Sequence, residues 1–520
     1  LPRDGASLFR DGALYTIVVR GFEPTQVSVP ALQALRRRSD RVEGAPDAVE
    51  STGTATAEMY LAAPGSVGCD ARDIVDERRF FQTSHFRFGV KGNMSVGQPK
   101  PPHRLRFRKK DERLFGLKTV DLNSMYNDPS HVREALAWTM FREAELPASR
   151  FAYVKLCVQR NSPSAGTPRY DYRGLFLMLE RPDDVFVKNR FPTKSKGNLY
   201  SANMPTARTG ATLERRGSAA AYREAVANGD LLPEQTYELD TNNEANDPPE
   251  LQSYEDLSKF VDTLHGETEA LRGLGAHRFA STAYAQALDG IFDTDGFLRW
   301  AAINTLLASW DNYLCTPSNF RLYNAGHKPD AAPNFASELM QSPYFHWIPW
   351  DYDNSLGVNY FEGAHWVDTP IFEPERACDA YWATVSDRPS PRPSPVLFSN
   401  MMKNPGYRQA YAAHVERALA TWFNERWVGE RIGPDRDIGE VFGGHWGVIR
   451  RSVYAETLGG GWEPPFTQRL WTNDEIYAHV HRGARLERQG WGKRDVENLY
   501  RFVRRRAERA RADLARERQP

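Results

Sequence analysis

The chain has 520 residues, with Lys plus Arg and Asp plus Glu balanced at 67 each, so its zero net charge gives no general pull toward nucleic acid or an anionic membrane. Hydrophobic residues make up 41% and thirteen residues are Trp, which excludes intrinsic disorder and supplies apolar bulk for two or three packed units. No run approaches the roughly eighteen apolar residues of a membrane-spanning helix, so no membrane span is expected.

The four cysteines, Cys69, Cys157, Cys315 and Cys378, lack the CxxC and His spacings of a zinc site. Two disulfides are allowed if the protein is exported, and four cysteines are equally ordinary in a reduced compartment. The chain starts at Leu1 without Met, as a trimmed or leader-processed chain would, and location stays open on these grounds.

Alternation over residues 14–20 predicts a first strand, followed by a short helix over 27–38 and a flexible polar loop over 39–56. Strands are expected over 59–62 and 86–90. The latter runs through Arg87 and Val90 into Lys91, Gly92, Asn93, Met94 and Ser95, with Lys100 and a basic strand over 104–108 beyond. A strand, a Gly-Asn-x-Ser turn and a basic strand bring backbone N–H groups and cations to phosphates; the same pattern also describes a hairpin with a solvated basic face. Neither GxxxxGK[ST] nor GxGxxG is present. Asp128 or Ser130 can cap a helix over 131–145, where Glu134 is either the partner of a phosphate-binding cation or a solvated helix charge. Strands over 151–160 and 173–180 pair antiparallel, and the second is almost continuously apolar, hence central. A strand-rich half is expected over 1–182 and a helical half over 183–520.

Beyond the boundary come a short helix over 184–191, a strand or turn over 197–200, a polar surface excursion or flexible loop over 208–250, and helices over 253–264 and 297–309. Asp293-Thr294-Asp295-Gly296 lacks the third acidic position and closing Glu of a calcium loop, so helix capping accounts for it. The stretch 300–359 organises the chain. An apolar helix ends at Asp311, Asn319 lies eight residues on, and two strand-like runs deliver Asp351 and Asp353 to a turn at Gly357. Magnesium prefers a few carboxylate and amide oxygens together with phosphate oxygens, so this spacing points to a metal and nucleotide site. Trp347 either stacks on adenine or sits in the core. The Arg-rich helix over 496–515 reads as the wet face of a docked helix.

Taken together, Val90 to Ser95, Asp128-Pro129-Ser130, Gly174 to Glu180, Gly197 to Tyr200, Trp310-Asp311 with Asn319, and Ile348 to Asp353 resemble the CotH family of spore-coat-type kinases over roughly residues 80–515. The resemblance implies an α+β, two-lobed, atypical protein-kinase-like fold with an antiparallel-sheet N-lobe and a mostly helical C-lobe. It implies an enzyme that uses ATP and Mg2+ (or Mn2+) to move the γ-phosphoryl group to a hydroxyl of a protein substrate. By that likeness Asp311 is the catalytic Asp, Asn319 and Asp353 hold metal, and Asp351 is a second ligand or a structural partner. Lys91, Lys100 and Arg106 are candidates for ATP phosphates, Glu134 or Glu180 for their acidic partner, and Trp347 for adenine. An exported or cell-surface location is implied, with a cytoplasmic one left open.

His-Arg-Asp, Asp-Phe-Gly and Val-Ala-Ile-Lys are absent and residues 328–341 are inserted, so nucleotide transfer or ATP-driven glutamylation stays open beside phosphorylation. A non-catalytic coat or adhesion protein is the rival from another class. A metal-dependent nuclease lacks a well-placed His base and electrostatic attraction.

Overall fold

Strand β1 (Leu14–Phe22) buries residues of both parities, Ile17 and Val19 as well as Thr16 and Val18, as a strand covered on both faces does. In the computed structural model, which describes residues 1–10, 12–22, 49–92, 100–160, 170–206, 209–228, 231–358, 366–379, 382, 394–433, 444–456, 471–481 and 496–519, this strand opens a closed barrel. The others are β2 (Val49–Leu61), β3 (Arg79–Val90), β4 (His103–Phe107), β5 (Thr119–Asn123), β6 (Phe151–Arg160) and β7 (Tyr170–Glu180), in the order β1-β2-β3-β4-β5-β7-β6. The helix expected over 27–38 and the turn residues Asn93, Met94 and Ser95 lie outside the described residues.

The expected antiparallel sheet is therefore closed into a barrel. Closure comes from β1 lying parallel to β6, with Leu14 opposite Tyr153, whereas the other neighbouring pairs run antiparallel. A parallel partner so distant in sequence leaves no local turn signal, and closure removes the exposed edges that would invite association. Residues 49–56, expected in a loop, belong to β2, where Val49 pairs with Phe88 and Thr52 with His85. Cross-strand pairing outweighs their small, polar composition. β7 is central, between β5 and β6.

Inside this part of the chain Lys155 of β6 forms an ion pair with Asp73, both side chains without solvent exposure, and Asp73 also accepts from Thr16 Oγ1 at 2.7 Å and from the Ala63 N–H at 2.7 Å. The disulfide Cys69–Cys157, with Cα atoms 5.8 Å apart, holds the same loop to β6.

The chain forms two compact units. Unit 1 comprises Leu1–Leu136, Ser149–Arg181 and Val428–Trp491, and unit 2 comprises Ala137–Ala148, Pro182–Trp427 and Gly492–Pro520. Both helices and sheets are present, so the class is α+β. In unit 2, β8 (Asn198–Ala202) is followed by a hairpin of β9 (Ala225–Asn228) and β10 (Leu231–Gln235), then by β11 (Tyr237–Leu239). With β12 (Phe320–Asn324) and β13 (Phe345–Pro349), the sheet order is β11-β8-β12-β13. The polar excursion over 208–250 is thus not a loose loop: it buries Leu213, Tyr222, Tyr237 and Leu239 and adds β11 to the sheet that carries the candidate site. Scattered aromatic anchors ordered it, and its polar average hid them.

The helix Thr294–Leu307 is capped by Asp293, whose carboxylate accepts the Gly296 N–H at 3.0 Å, as expected for that motif. It buries Phe297, Leu298, Trp300, Ile303 and Leu306, and ends at Ala308 in the left-handed region (φ 47). Gly357 has φ 90, and a Cβ there would lie 2.9 Å from the Phe502 ring. Gly357→Ala is expected to lower stability by about 1–3 kcal/mol through backbone strain and this clash, read as a fall in melting temperature.

Candidate functional site

The loop after the Thr294–Leu307 helix is held by paired amides. Asn312 Nδ2 donates to Asn304 Oδ1 at 2.8 Å and Asn304 Nδ2 returns a bond to Asn312 Oδ1 at 3.1 Å, with both residues buried. The Asn312 carbonyl accepts the N–H groups of Cys315 at 2.8 Å and Thr316 at 2.7 Å. These bonds close a tight turn around Asp311. Thr316 Oγ1 donates to Asp311 Oδ1 at 3.0 Å, and Asn354 Nδ2 donates to Oδ2 at 3.2 Å. Asn319 Nδ2 donates to the Asp311 backbone carbonyl at 2.7 Å. Burial, reinforced by the negative charge of Asp351, pushes the Asp311 carboxyl up to about 6 against the lowering effect of the Thr316 and Asn354 bonds. A carboxylate poised near neutrality suits a general base.

The second turn follows β13. Asp351 (φ 59) and Asn319 (φ 58) both occupy the left-handed backbone region, a cost that surrounding structure must hold in place and that clusters at functional sites. Tyr352 anchors the turn: its hydroxyl accepts from Trp300 Nε1 at 2.6 Å and donates to Asn304 Oδ1 at 3.2 Å, and its ring meets Phe141 with centroids 4.5 Å apart. The Leu356 N–H reaches the Leu307 carbonyl at 2.7 Å, and Trp310 Nε1 reaches the Val358 carbonyl at 3.0 Å. Asp353, partly buried, lies in the same turn. The disulfide Cys315–Cys378 and a bond from Trp382 Nε1 to the Cys315 carbonyl at 3.0 Å brace the loop from its other end.

Among the described residues no three His, Cys, Asp or Glu side chains converge as metal ligands. The oxygens that do gather are of another kind. The Asp311 and Asp351 carboxylates are close enough for like-charge repulsion, and Asn319 commits its N–H to Asp311. Asn354 Oδ1 is buried without a hydrogen-bond partner. Two carboxylates supplemented by amide oxygens form a hard set that fits Mg2+ or Mn2+ and not a soft metal.

In unit 1 the register of β4 and β5 puts Arg104 opposite Asp121, and the alternation of the pleat sets Arg106 and Asn123 on the same face. Asp121 is the centre of this face, with Arg104 Nε at 2.7 Å, Arg181 Nη1 at 3.4 Å and Lys91 Nζ at 3.5 Å. Burial raises the Asp121 carboxyl, but Arg104, Lys91 and Arg181 overcome it and hold it well below the usual carboxylate range. Arg106 is lowered by burial and by Arg108, Arg181, Arg104 and Arg87 around it, so several positive charges cluster here. Glu134 faces the same group, accepting from Asn123 Nδ2 at 2.7 Å.

The remaining candidates lie elsewhere. Lys100 spends its ammonium on Glu456 at 2.7 Å and the Leu175 carbonyl at 2.5 Å, over the Phe176 ring. Glu180 pairs with Arg150 at 2.6 Å. Trp347 is stacked on Phe320 with centroids 4.1 Å apart and packs against Trp300, Phe297 and Tyr313, which accounts for it as a core residue. Thr316, Asn354 and Asp121 were not among the candidate site residues of the sequence, whereas Arg104 lies in the basic strand expected over 104–108. Asn354 adjoins Asp353 and could have been found as an amide beside an acidic pair; Thr316, five residues after Asp311, carries no such signal.

A family model described as CotH kinase protein matches residues 88–434, about two thirds of the chain, and includes Lys91, Asp311, Asn319, Asp351 and Asp353. Over 241 residues the chain is 21% identical to a protein named Invasin CotH7 from Rhizopus delemar, a stretch that covers 44% of this chain. It spans 33% of the length of that relative.

Proposed function

This chain belongs to the CotH kinase protein family, and from that premise we propose that it is a protein kinase dependent on ATP and a divalent metal. In this reading it transfers the γ-phosphoryl group of ATP to a hydroxyl of a protein substrate. One observation carries the proposal: Asp311, raised toward neutrality, has both carboxylate oxygens held by donors while Asn319 is tied to its backbone. A carboxylate so oriented accepts the proton of an attacking hydroxyl. Asn319, Asp351 and Asp353 would hold Mg2+ or Mn2+, which when bound neutralises phosphate charge. Lys91 and Arg106 would meet the nucleotide phosphates, a reading supported by the several cations that cluster on their face. The two disulfides, which take up all four cysteines, support export to an oxidising compartment.

Incubation with ATP labelled at the γ- or the α-position tests the chemistry. Label on protein from the γ-position alone is expected; α-label would replace phosphorylation by nucleotide transfer. ATP with magnesium is expected to raise the melting temperature, and Asp353→Ala to remove most of that rise. The relative's name, Invasin, favours a second reading as a non-catalytic surface or adhesion protein. Absence of both labelling and any nucleotide-induced shift would put that reading first.

A further inference from the structure

Asn354 is 7% exposed and its two amide ends have different fates. Nδ2 donates to Asp311 Oδ2 at 3.2 Å, whereas Oδ1 is shielded from solvent with no partner among the described residues. The orientation follows from charge. An ionised carboxylate accepts only, so the amide must turn its N–H toward Asp311 and its carbonyl away. Thr316 already supplies the donor for the other Asp311 oxygen, at 3.0 Å. Leaving a buried carbonyl unsatisfied is costly, and a positively charged ligand at that oxygen would remove the cost.

The same small region holds a second imbalance. Asp351 and Asp353 are the carboxylates assigned to the cation, Asp351 lies close enough to Asp311 to oppose its charge, and no three carboxylate, His or Cys side chains converge as metal ligands among the described residues. A divalent cation there would be short of ligands unless amide oxygens complete its shell. Asn354 Oδ1 is such an oxygen, and Asn354 adjoins Asp353 in the turn that also holds Asp351.

We propose that Asn354 is an oxygen ligand of the divalent cation and, through its other end, the positioning residue of Asp311. The inference rests on the kinase reading for the presence of the cation. One side chain then couples two events. Asn354 would hold the cation through Oδ1 while its Nδ2 orients the Asp311 oxygen that would receive the acceptor's proton. The oriented base is thereby made conditional on a loaded metal site, by hydrogen bonding and coordination alone.

Mn2+ binding, followed by the loss of the free-ion electron paramagnetic resonance signal, tests this without turnover. The intact protein is titrated alone and with a non-hydrolysable ATP analogue. Asn354→Ala is expected to weaken Mn2+ binding by about tenfold or more. Asn354→Asp, which restores an oxygen, is expected to bind Mn2+ within about threefold of the parent, yet to lose kcat because a carboxylate offers Asp311 no donor. Melting curves establish folding, and the near-isosteric Asn354→Leu repeats the first arm if the alanine variant does not fold. Unchanged Mn2+ affinity in a folded variant lacking the oxygen overturns the proposal and leaves the kinase reading standing. A parent protein that takes up no Mn2+ in either condition overturns both.

Discussion

Asp311→Asn is expected to cut phosphoryl transfer by about 10²–10⁴-fold while making the metal-free protein more stable at pH 8. The two effects have one source. The folded structure holds the Asp311 carboxyl at about 6, above its ordinary value of 3.8, because burial and Asp351 both oppose its charge. A carboxyl with a raised folded value costs stability once it must ionise: nothing is lost well below pH 3.8, the loss grows as pH rises through that value toward 6, and it is complete above 6. With partial exposure allowed for, that cost is on the order of 1–3 kcal/mol. The amide substitution removes it and keeps the shape, since Thr316 and Asn354 can each still bond to the new side chain. Melting curves in a chelator at pH 3.5 and pH 8 check the sign. A variant more stable at pH 3.5 and unchanged at pH 8 would contradict the electrostatic assignment.

Lys155→Met is expected to destabilise the protein by about 3–5 kcal/mol, the largest stability effect among these substitutions. Lys155 and Asp73 are both fully buried, and burial pulls the ammonium below its usual value even with its partner present. Removing the cation strands the Asp73 carboxylate, since Thr16 and the Ala63 N–H supply hydrogen bonds but no charge. A second substitution, Asp73→Asn, removes the stranded charge. The double variant is therefore expected to recover part of the loss in denaturant or thermal unfolding. A double variant no better than the sum of the singles would mean that the pair acts through packing alone.

Legibility along the chain followed how local each physical cause was. The β6 and β7 strands, the helix that leads to the Asp311 turn and the Asp293 cap rest on patterns a few residues long, and the order of residues displayed them. The barrel was not visible, because the β1–β6 contact joins residues more than a hundred positions apart. The buried order of residues 208–250 was hidden for a related reason: Tyr222 and Tyr237 pack against each other across a run whose average is polar.

At the candidate site, the acids and Asn319 stood out by type and spacing, because hard-cation chemistry admits few side chains. Which cations share a face did not. Lys91, Lys100 and Arg106 look alike as residues, yet Asp121 gathers Lys91 beside Arg104, while Glu456, hundreds of positions away, claims Lys100.

The amino-acid order by itself determined the family, the class of elements and the set of oxygens available to a hard cation, since each depends on residue identity and short-range periodicity. Only the folded chain decided which of those oxygens meet, that Asp351 is the charge felt by Asp311, and that Asn354 stands beside it with an unspent carbonyl. Charge repulsion and hydrogen bonding act over a few ångströms of space, and spacing along a polymer does not state which ångströms those are.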